Sequence, residues 1–171
     1  MPFKYYGGVH PDYAKTASKT PVRTISPPPV VVLPMIQQIG APNKPVVKVG
    51  DTVKMGQLIG SNDAPVSAPV HSSVSGKVIA VEPRRHMLGD MVMSVVIEND
   101  FQDTPCEDMK PLSEEQLKDP DAIIARIREA GVVGMGGAMF PTAFKIQGAR
   151  GKVDTVIING AECEPYLCGD H

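Results

Sequence analysis

The chain reads as an α+β, multi-domain sequence: a small all-β domain over residues 30–100, then the beginning of an α/β domain over residues 112–171. Three observations predict this. Short β-branched runs, each bounded by Gly, Pro, Asn or Asp, recur up to about residue 100. The composition then turns polar and acidic from Asn99 to Asp108. Beyond that point apolar residues fall at helical spacing, and a glycine-dense loop and an apolar run follow.

Residues 1–29 are expected to form an extended surface arm. Thr20-Pro21 and Ser26-Pro27-Pro28-Pro29 exclude helix there. Strands are expected at Val30 to Leu33, Val46 to Val49, Gln57 to Ile59, Val74 to Val81 and Met91 to Ile97. Gly50-Asp51-Thr52-Val53 returns as Gly89-Asp90-Met91-Val92, which suits two interlocked half-units of a small sandwich or flattened barrel. Residues 101–111 read as a linker. Ser113 and Gln116 then form a capping-box pattern, and Asp119-Pro120 places a cap before a proline at the first helical position. Ile123, Ile124 and Ile127 give one buried stripe, and Gly131 ends that helix. A short helix from about Thr142 to Gln147, a turn over 148–151 and a strand from Asp154 to Asn159 complete the reading. The sequence stops soon after that single strand. One strand cannot make a sheet, so this region reads as the N-terminal part of something longer.

The bulk numbers narrow the function classes. The net charge of −2 gives no reason to expect nucleic acid. Three cysteines without regular spacing argue against a disulfide framework and fit a reducing compartment. Neither a signal-peptide core at the N-terminus nor a run of membrane-spanning length is visible. No metal-ligand set stands out. His71 has no Cys or second His at ligand spacing, so a turn histidine bonded to backbone is expected. Arg84, Arg85 and His86 read as a short basic turn on the surface.

Val49-Gly50-Asp51-Thr52-Val53-Lys54-Met55-Gly56-Gln57 and Ser67-Ala68-Pro69-Val70-His71-Ser72-Ser73-Val74-Ser75-Gly76-Lys77-Val78 resemble the biotinyl/lipoyl hammerhead, a barrel-sandwich hybrid fold. A swinging-arm carrier needs a lysine on the hairpin between them, because its cofactor joins that amine. No lysine lies between Lys54 and Lys77. The carrier function is therefore excluded on chemical grounds, and a docking platform is the expectation.

The loop Gly134-Met135-Gly136-Gly137-Ala138-Met139-Phe140-Pro141-Thr142 lacks the Lys-Ser/Thr of a phosphate-binding P-loop and follows a helix rather than a strand. Glycines let a backbone approach a phosphate or a flat ring. Thr142 is expected to cap the next helix, with Lys145 one turn on as a cation. Phe140 suits either an aromatic ligand or the core. After the expected strand, Asn159 offers a donor and an acceptor, and Glu162 and Glu164 alternate so that both face one side. Together these residues suggest a redox nucleotide pocket.

The stretches Gly131 to Lys145 and Val156 to Leu167 resemble RnfC, a component of the Rnf ion-translocating electron transport complex, and, more distantly, the flavin-bearing NADH-binding subunit of complex I. Gly7 to Pro11, Ile39 to Pro42 and Ser67 to Gly76 also resemble the Rnf protein, so the likeness spans nearly the whole chain. It implies a Rossmann-like FMN/NADH-binding domain over 112–171. It also implies electron transfer between NADH and ferredoxin through FMN and 4Fe-4S clusters, in a translocase whose other Rnf subunits and ferredoxin are the partners. The implied place is the cytoplasmic face of the bacterial inner membrane, reached peripherally through partner subunits. Gly134, Gly136, Gly137, Ala138, Phe140, Lys145 and Asn159 would line the flavin. Glu162 and Glu164 would position flavin and nicotinamide as the catalytic pair, the flavin itself supplying the redox chemistry.

Departures are visible. Met139 and Ala161 replace a glycine and an aspartate of the complex I pattern, and Cys168-Gly169 replaces the Thr-Cys that follows Pro-Tyr-Leu in the Rnf pattern. The cysteine-rich cluster motif is absent, so no iron–sulfur cluster is expected on these residues, which alone should be inactive. Two other readings compete. One is a non-catalytic docking module with an incomplete flavin fold. The other is a flavin-dependent cobalamin reductase, against which the Gly7–Pro11 start and the β domain argue.

Overall fold

The computed structural model describes residues 12, 14–158 and 166. The chain divides into two units, one formed by Met1–Ser26 with Asp154–His171 and the other by Pro27–Val153.

The second unit is built on seven strands: β1 (Val30–Pro34), β2 (Lys44–Pro45), β3 (Thr52–Val53), β4 (Leu58–Ser61), β5 (Val70–His71), β6 (Gly76–Arg85) and β7 (Met91–Asn99). Four of them form an antiparallel sheet in the order β1-β7-β6-β3, and three form a second sheet in the order β2-β4-β5. β-Branched side chains alternate inward from both sheets, and Met35, Val53, Ile59, Val70, Val78, Val95 and Ile97 close into one core. The barrel-sandwich expectation is met in this two-sheet layout. Val46 to Val49 is not a strand, although the Val46 amide donates to the Ile59 carbonyl at 2.9 Å. The very short β3 and β5 were not legible in the sequence.

The repeated tetrapeptide has a structural counterpart. Gly50 and Gly89 both take positive φ, +97° and +100°, in turns leading into β3 and β7. Those two strands flank β6 on opposite sides. Arg84 and Arg85 belong to β6 rather than to a turn; the turn lies over 87–90. The β6–β7 pairing outruns its neighbours, since β1 ends opposite Ser94 while β6 and β7 continue to Arg85 and Met91.

Chain entry and exit meet at Asn99. Its amide donates to the Pro29 carbonyl, its Nδ2 to the Pro28 carbonyl, and its Oδ1 accepts from the Phe101 amide. Residues 101–111 are polar, as expected of a linker, but they are strapped to the barrel. The Met55 amide donates to the Thr104 carbonyl and the Cys106 amide to the Met55 carbonyl. The Thr104 amide also donates to Ser75 Oγ, and Lys54 pairs with Glu107.

Ser113 and Gln116 exchange both capping-box bonds. Only a 3-10 turn, Gln116–Lys118, follows, because Asp119 is extended ahead of Pro120. Helix α1 (Pro120–Glu129) then starts as expected, with the Asp119 side chain accepting from the Asp121 amide. Of its apolar stripe Ile124 is buried, while Ile123 and Ile127 are half-buried. Helix α2 (Thr142–Ala149) packs on α1, burying Ala143, and Arg150 pairs with Asp121 across the two helices.

In the first unit, a turn spans 16–19, and residues 21–26 belong to no helix or strand and are exposed. The expected strand from Asp154 to Asn159 does not form over 154–158. Val156, Ile157 and Ile158 are exposed, and no strand among the described residues pairs with them. A buried parallel strand needs neighbours on both sides to satisfy its amides. The Rossmann-like layout is thus not seen among the described residues.

Candidate functional site

The glycine loop grows out of the end of α1. Gly131, at φ +68°, turns the chain, and the Val132 amide donates back to the Ile127 carbonyl at 3.2 Å. Gly131 is seated against the barrel, since a Cβ there would lie 2.5 Å from the Pro69 carbonyl oxygen and 3.5 Å from His71 Nδ1. The next residues fold into a small bridged loop. Val133 and Pro141 form an antiparallel bridge, the Gly134 amide donates to the Phe140 carbonyl at 2.9 Å, and the Thr142 amide to the Val132 carbonyl at 3.0 Å. Residues 135–139 form its exposed tip.

At the tip, Gly136 and Gly137 have neither positive φ nor any atom within 4 Å of where a Cβ would stand. Neither turn geometry nor packing among the described residues asks for glycine there. The positive φ falls instead on Met139, at +46°. That is the position where the complex I pattern has glycine, and a side chain there costs about 1–2 kcal/mol in backbone strain. Ala138 is exposed beside it.

Thr142 is the first residue of α2, and Pro141 is its N-cap, with no side-chain cap bond. The expected Thr142 cap is therefore corrected: the bridge to Val133 puts Pro141 at the cap position. The Thr142 amide is also spent on Val132, which leaves the amides of Ala143 and Phe144 as those without a backbone acceptor in this first turn. Lys145 is exposed and makes no ion pair among the described residues. Phe140 is half-buried and meets Phe144 edge-on, with ring centroids 5.9 Å apart and planes at 65°. The sequence reading missed Phe144; its i+4 spacing from Phe140 was the available signal.

The structure thus brings Gly134, Gly136, Gly137, Ala138, Phe140 and Lys145 onto one loop and the helix that follows it. Asn159, Glu162 and Glu164 lie outside the described residues. His71 differs from expectation. Its ring makes no hydrogen bond among the described residues, and burial beside Gly131 pushes its pKa below the usual imidazole value. No cluster of three or more His, Cys, Asp or Glu suited to a metal occurs among the described residues.

Two clefts, of about 490 and 360 Å³, both lie on the barrel, and no residue of the glycine loop lines either. The hairpin that would carry a swinging arm is tied down. Asn62 Nδ2 donates to the Pro42 carbonyl at 2.6 Å, and Asn62 Oδ1 accepts from the Ala64 amide at 2.7 Å.

For FMN, the described residues fit in three respects: open main chain at Gly136 and Gly137, the Phe144 amide without a backbone acceptor in the first turn of α2, and the exposed cation of Lys145. No helix among the described residues is long and apolar enough to cross a membrane.

The family described as Nuo51 FMN-binding domain matches residues 127–171, which include the whole glycine loop. The family described as RnfC Barrel sandwich hybrid domain matches residues 3–102. The C subunit of the Na(+)-translocating ferredoxin:NAD(+) oxidoreductase complex of Acetobacterium woodii is 51% identical over 98% of this chain, which covers 38% of that protein. The C subunit of the proton-translocating ferredoxin:NAD(+) oxidoreductase complex of Clostridium ljungdahlii is 44% identical over 98% of this chain and 37% of its own length. The C subunit of the ion-translocating oxidoreductase complex of Klebsiella pneumoniae is 43% identical over 97% of this chain and 22% of its own length. The chain therefore spans well under half the length of these relatives. With a barrel match over more than half of its residues and a flavin-domain match that begins inside α1, this chain belongs to the RnfC family.

Proposed function

We propose that the chain serves in an FMN-dependent subunit that passes electrons between NADH and ferredoxin in an ion-translocating, membrane-bound complex. The observation that carries this is the pair Gly136 and Gly137, whose bare main chain faces open space with no internal reason for glycine. Bound there, FMN would supply the two-electron to one-electron chemistry. The chain's own residues would hold it. Gly134, Gly136, Gly137 and Ala138 admit its close approach. The amide of Phe144 and the ammonium of Lys145 would meet its phosphate or its anionic ring, and Phe140 braced by Phe144 would form a wall. Asn159, Glu162 and Glu164 hydrogen-bond ribityl and ribose hydroxyls and orient the nicotinamide. Iron–sulfur clusters belong to parts of such a subunit that these residues do not supply, since their cysteine motif is absent from this sequence. The subunit sits peripherally on the cytoplasmic face of the inner membrane, bound through the other subunits of the complex.

The test is a flavin absorbance in the full-length subunit that bleaches on adding NADH. Gly137→Asp should lower bound flavin at least ~10-fold by placing a carboxylate against the phosphate. Equal flavin content in the variant would remove the loop from the site. A second reading, a docking module without its own redox step, is favoured by the position of both clefts on the barrel. A well-folded full-length subunit without flavin would leave that reading alone.

A further inference from the structure

The β6–β7 ribbon carries its core-facing side beyond the core. Val81 and Val95 are paired across the ribbon and pack against the barrel interior. The next pairs on the same face are Pro83 with Met93 and Arg85 with Met91. Their exposure rises toward the tip: Met93 is 41% and Met91 63% exposed, and Met87 and Leu88 are 88% and 82% exposed. At the root of this overhang lies the cleft of about 360 Å³, lined by Met35, Ile36, Pro42, Asn43, Val92 and Met93. A cleft of that size admits one large side chain.

Two polar features accompany the apolar strip. The Met35 amide donates to the Met93 carbonyl at 2.8 Å, and the His86 amide to the Asp90 carbonyl at 2.7 Å. In an antiparallel ladder these bonds set the alternation, so the amide and carbonyl of Met91 point away from β6, beyond the end of β1. That edge is unpaired among the described residues. Charge is the second feature. Glu82 neutralises Arg84 on the opposite face at 2.6 Å, whereas Arg85, on the methionine face, pairs with no carboxylate among the described residues.

We infer that this overhang is a docking site for an extended segment of another protein subunit. The segment lies along the edge of β7 beyond Met35, where the amide and carbonyl of Met91 are unpaired among the described residues, drops one large apolar side chain into the cleft under Met93, and sets a carboxylate against Arg85. Methionines suit this role, because their flexible thioethers repack around a side chain of any shape. Strand addition supplies affinity through main-chain bonds, and the cleft with Arg85 supplies selectivity. The inference rests on the reading that the chain works inside an assembly of several subunits, and is independent of whether the glycine loop binds flavin.

The experiment uses the full-length subunit in its intact complex. A photo-crosslinking phenylalanine derivative replaces Met91, and the adduct is mapped by mass spectrometry. The expected result is a crosslink to one other subunit, at a segment that carries a large apolar residue and an acid within a few positions. Adducts to lipid alone, or none in an assembled complex, overturn the inference. Independently, Arg85→Glu combined with Met93→Asp should lower retention of the subunit in the complex at least ~10-fold, on the scale of two buried interface contacts. The melting temperature and flavin content of the isolated full-length variant should stay those of the parent. Undiminished retention overturns the proposal. So does undiminished retention of the single Arg85→Glu variant, whose exposed position leaves the fold unchanged.

Discussion

The glycines of the barrel and those of the loop at 134–137 obey different physics. In the barrel, Gly76 sits at φ +154°, and a Cβ there would overlap the carbonyl oxygen of Glu98 on the neighbouring strand. The fold itself demands that residue. At the loop tip, Gly136 and Gly137 meet nothing and adopt no left-handed conformation. A glycine with open space around it leaves its main chain bare to solvent, which is the feature the proposed flavin contact uses. The contrast separates residues that hold the structure from residues that serve it.

The sharpest way to break this contrast is Gly76→Ala. It combines strain at positive φ with a collision against backbone that cannot move without opening the β6–β7 ladder. The expected loss is about 3 kcal/mol, read as a fall in the denaturant midpoint. A loss below ~1 kcal/mol would mean the barrel yields where it should be rigid.

Gly131→Ala tests the joint between the two regions. Its left-handed φ costs a side chain about 1 kcal/mol, and the close approach to the Pro69 carbonyl adds a similar amount. The expected loss of about 2 kcal/mol should be accompanied by faster amide exchange in α1, because the helix loses its seat against β5. Unchanged exchange in α1 would show that the joint is held elsewhere.

The barrel was legible because its signals are local. β-Branched runs, bounding prolines and the repeated Gly-Asp turn mark strands whatever lies around them. The two-residue strands β3 and β5 were not, since pairing over so short a span is decided by the partner strand rather than by propensity. The Asp119-Pro120 start of α1 was legible for the same local reason. The cap of α2 was not, because the bridge between Val133 and Pro141 decides it. At the site, the glycine cluster could be seen in the sequence but not its meaning. Only the empty space around Gly136 and Gly137, against the crowding at Gly76 and Gly131, sets this loop apart from a turn whose glycines the fold requires.

Gly136→Ala and Gly137→Ala turn that distinction into a measurement. Where the native backbone accepts alanine, the substitution stiffens the unfolded chain and raises stability by about 0.4–1 kcal/mol. Both variants should therefore be neutral or slightly more stable in the denaturant titration that Gly76→Ala fails. Their flavin affinity in the full-length subunit should fall at least ~10-fold, because a methyl group occupies the surface a ring or phosphate must reach. Lower stability in both would return the loop glycines to a structural role and dissolve the contrast.

The smallest expected effect concerns His71, which lies at the joint beside Gly131. Burial lowers its pKa in the folded state, and that is its whole cause. The unfolded chain then binds a proton more readily than the folded one, so stability rises with pH across this group. The favourable state is present in full above the unfolded imidazole value of about 6.5, and stability declines as the pH falls from there toward the depressed folded value. His71→Gln, which carries no charge at any of these pH values, should flatten that part of the stability curve. If the parent and the variant keep parallel curves between about pH 7 and pH 5, the imidazole is not sensing the packing of Gly131, and the joint carries no pH dependence of its own.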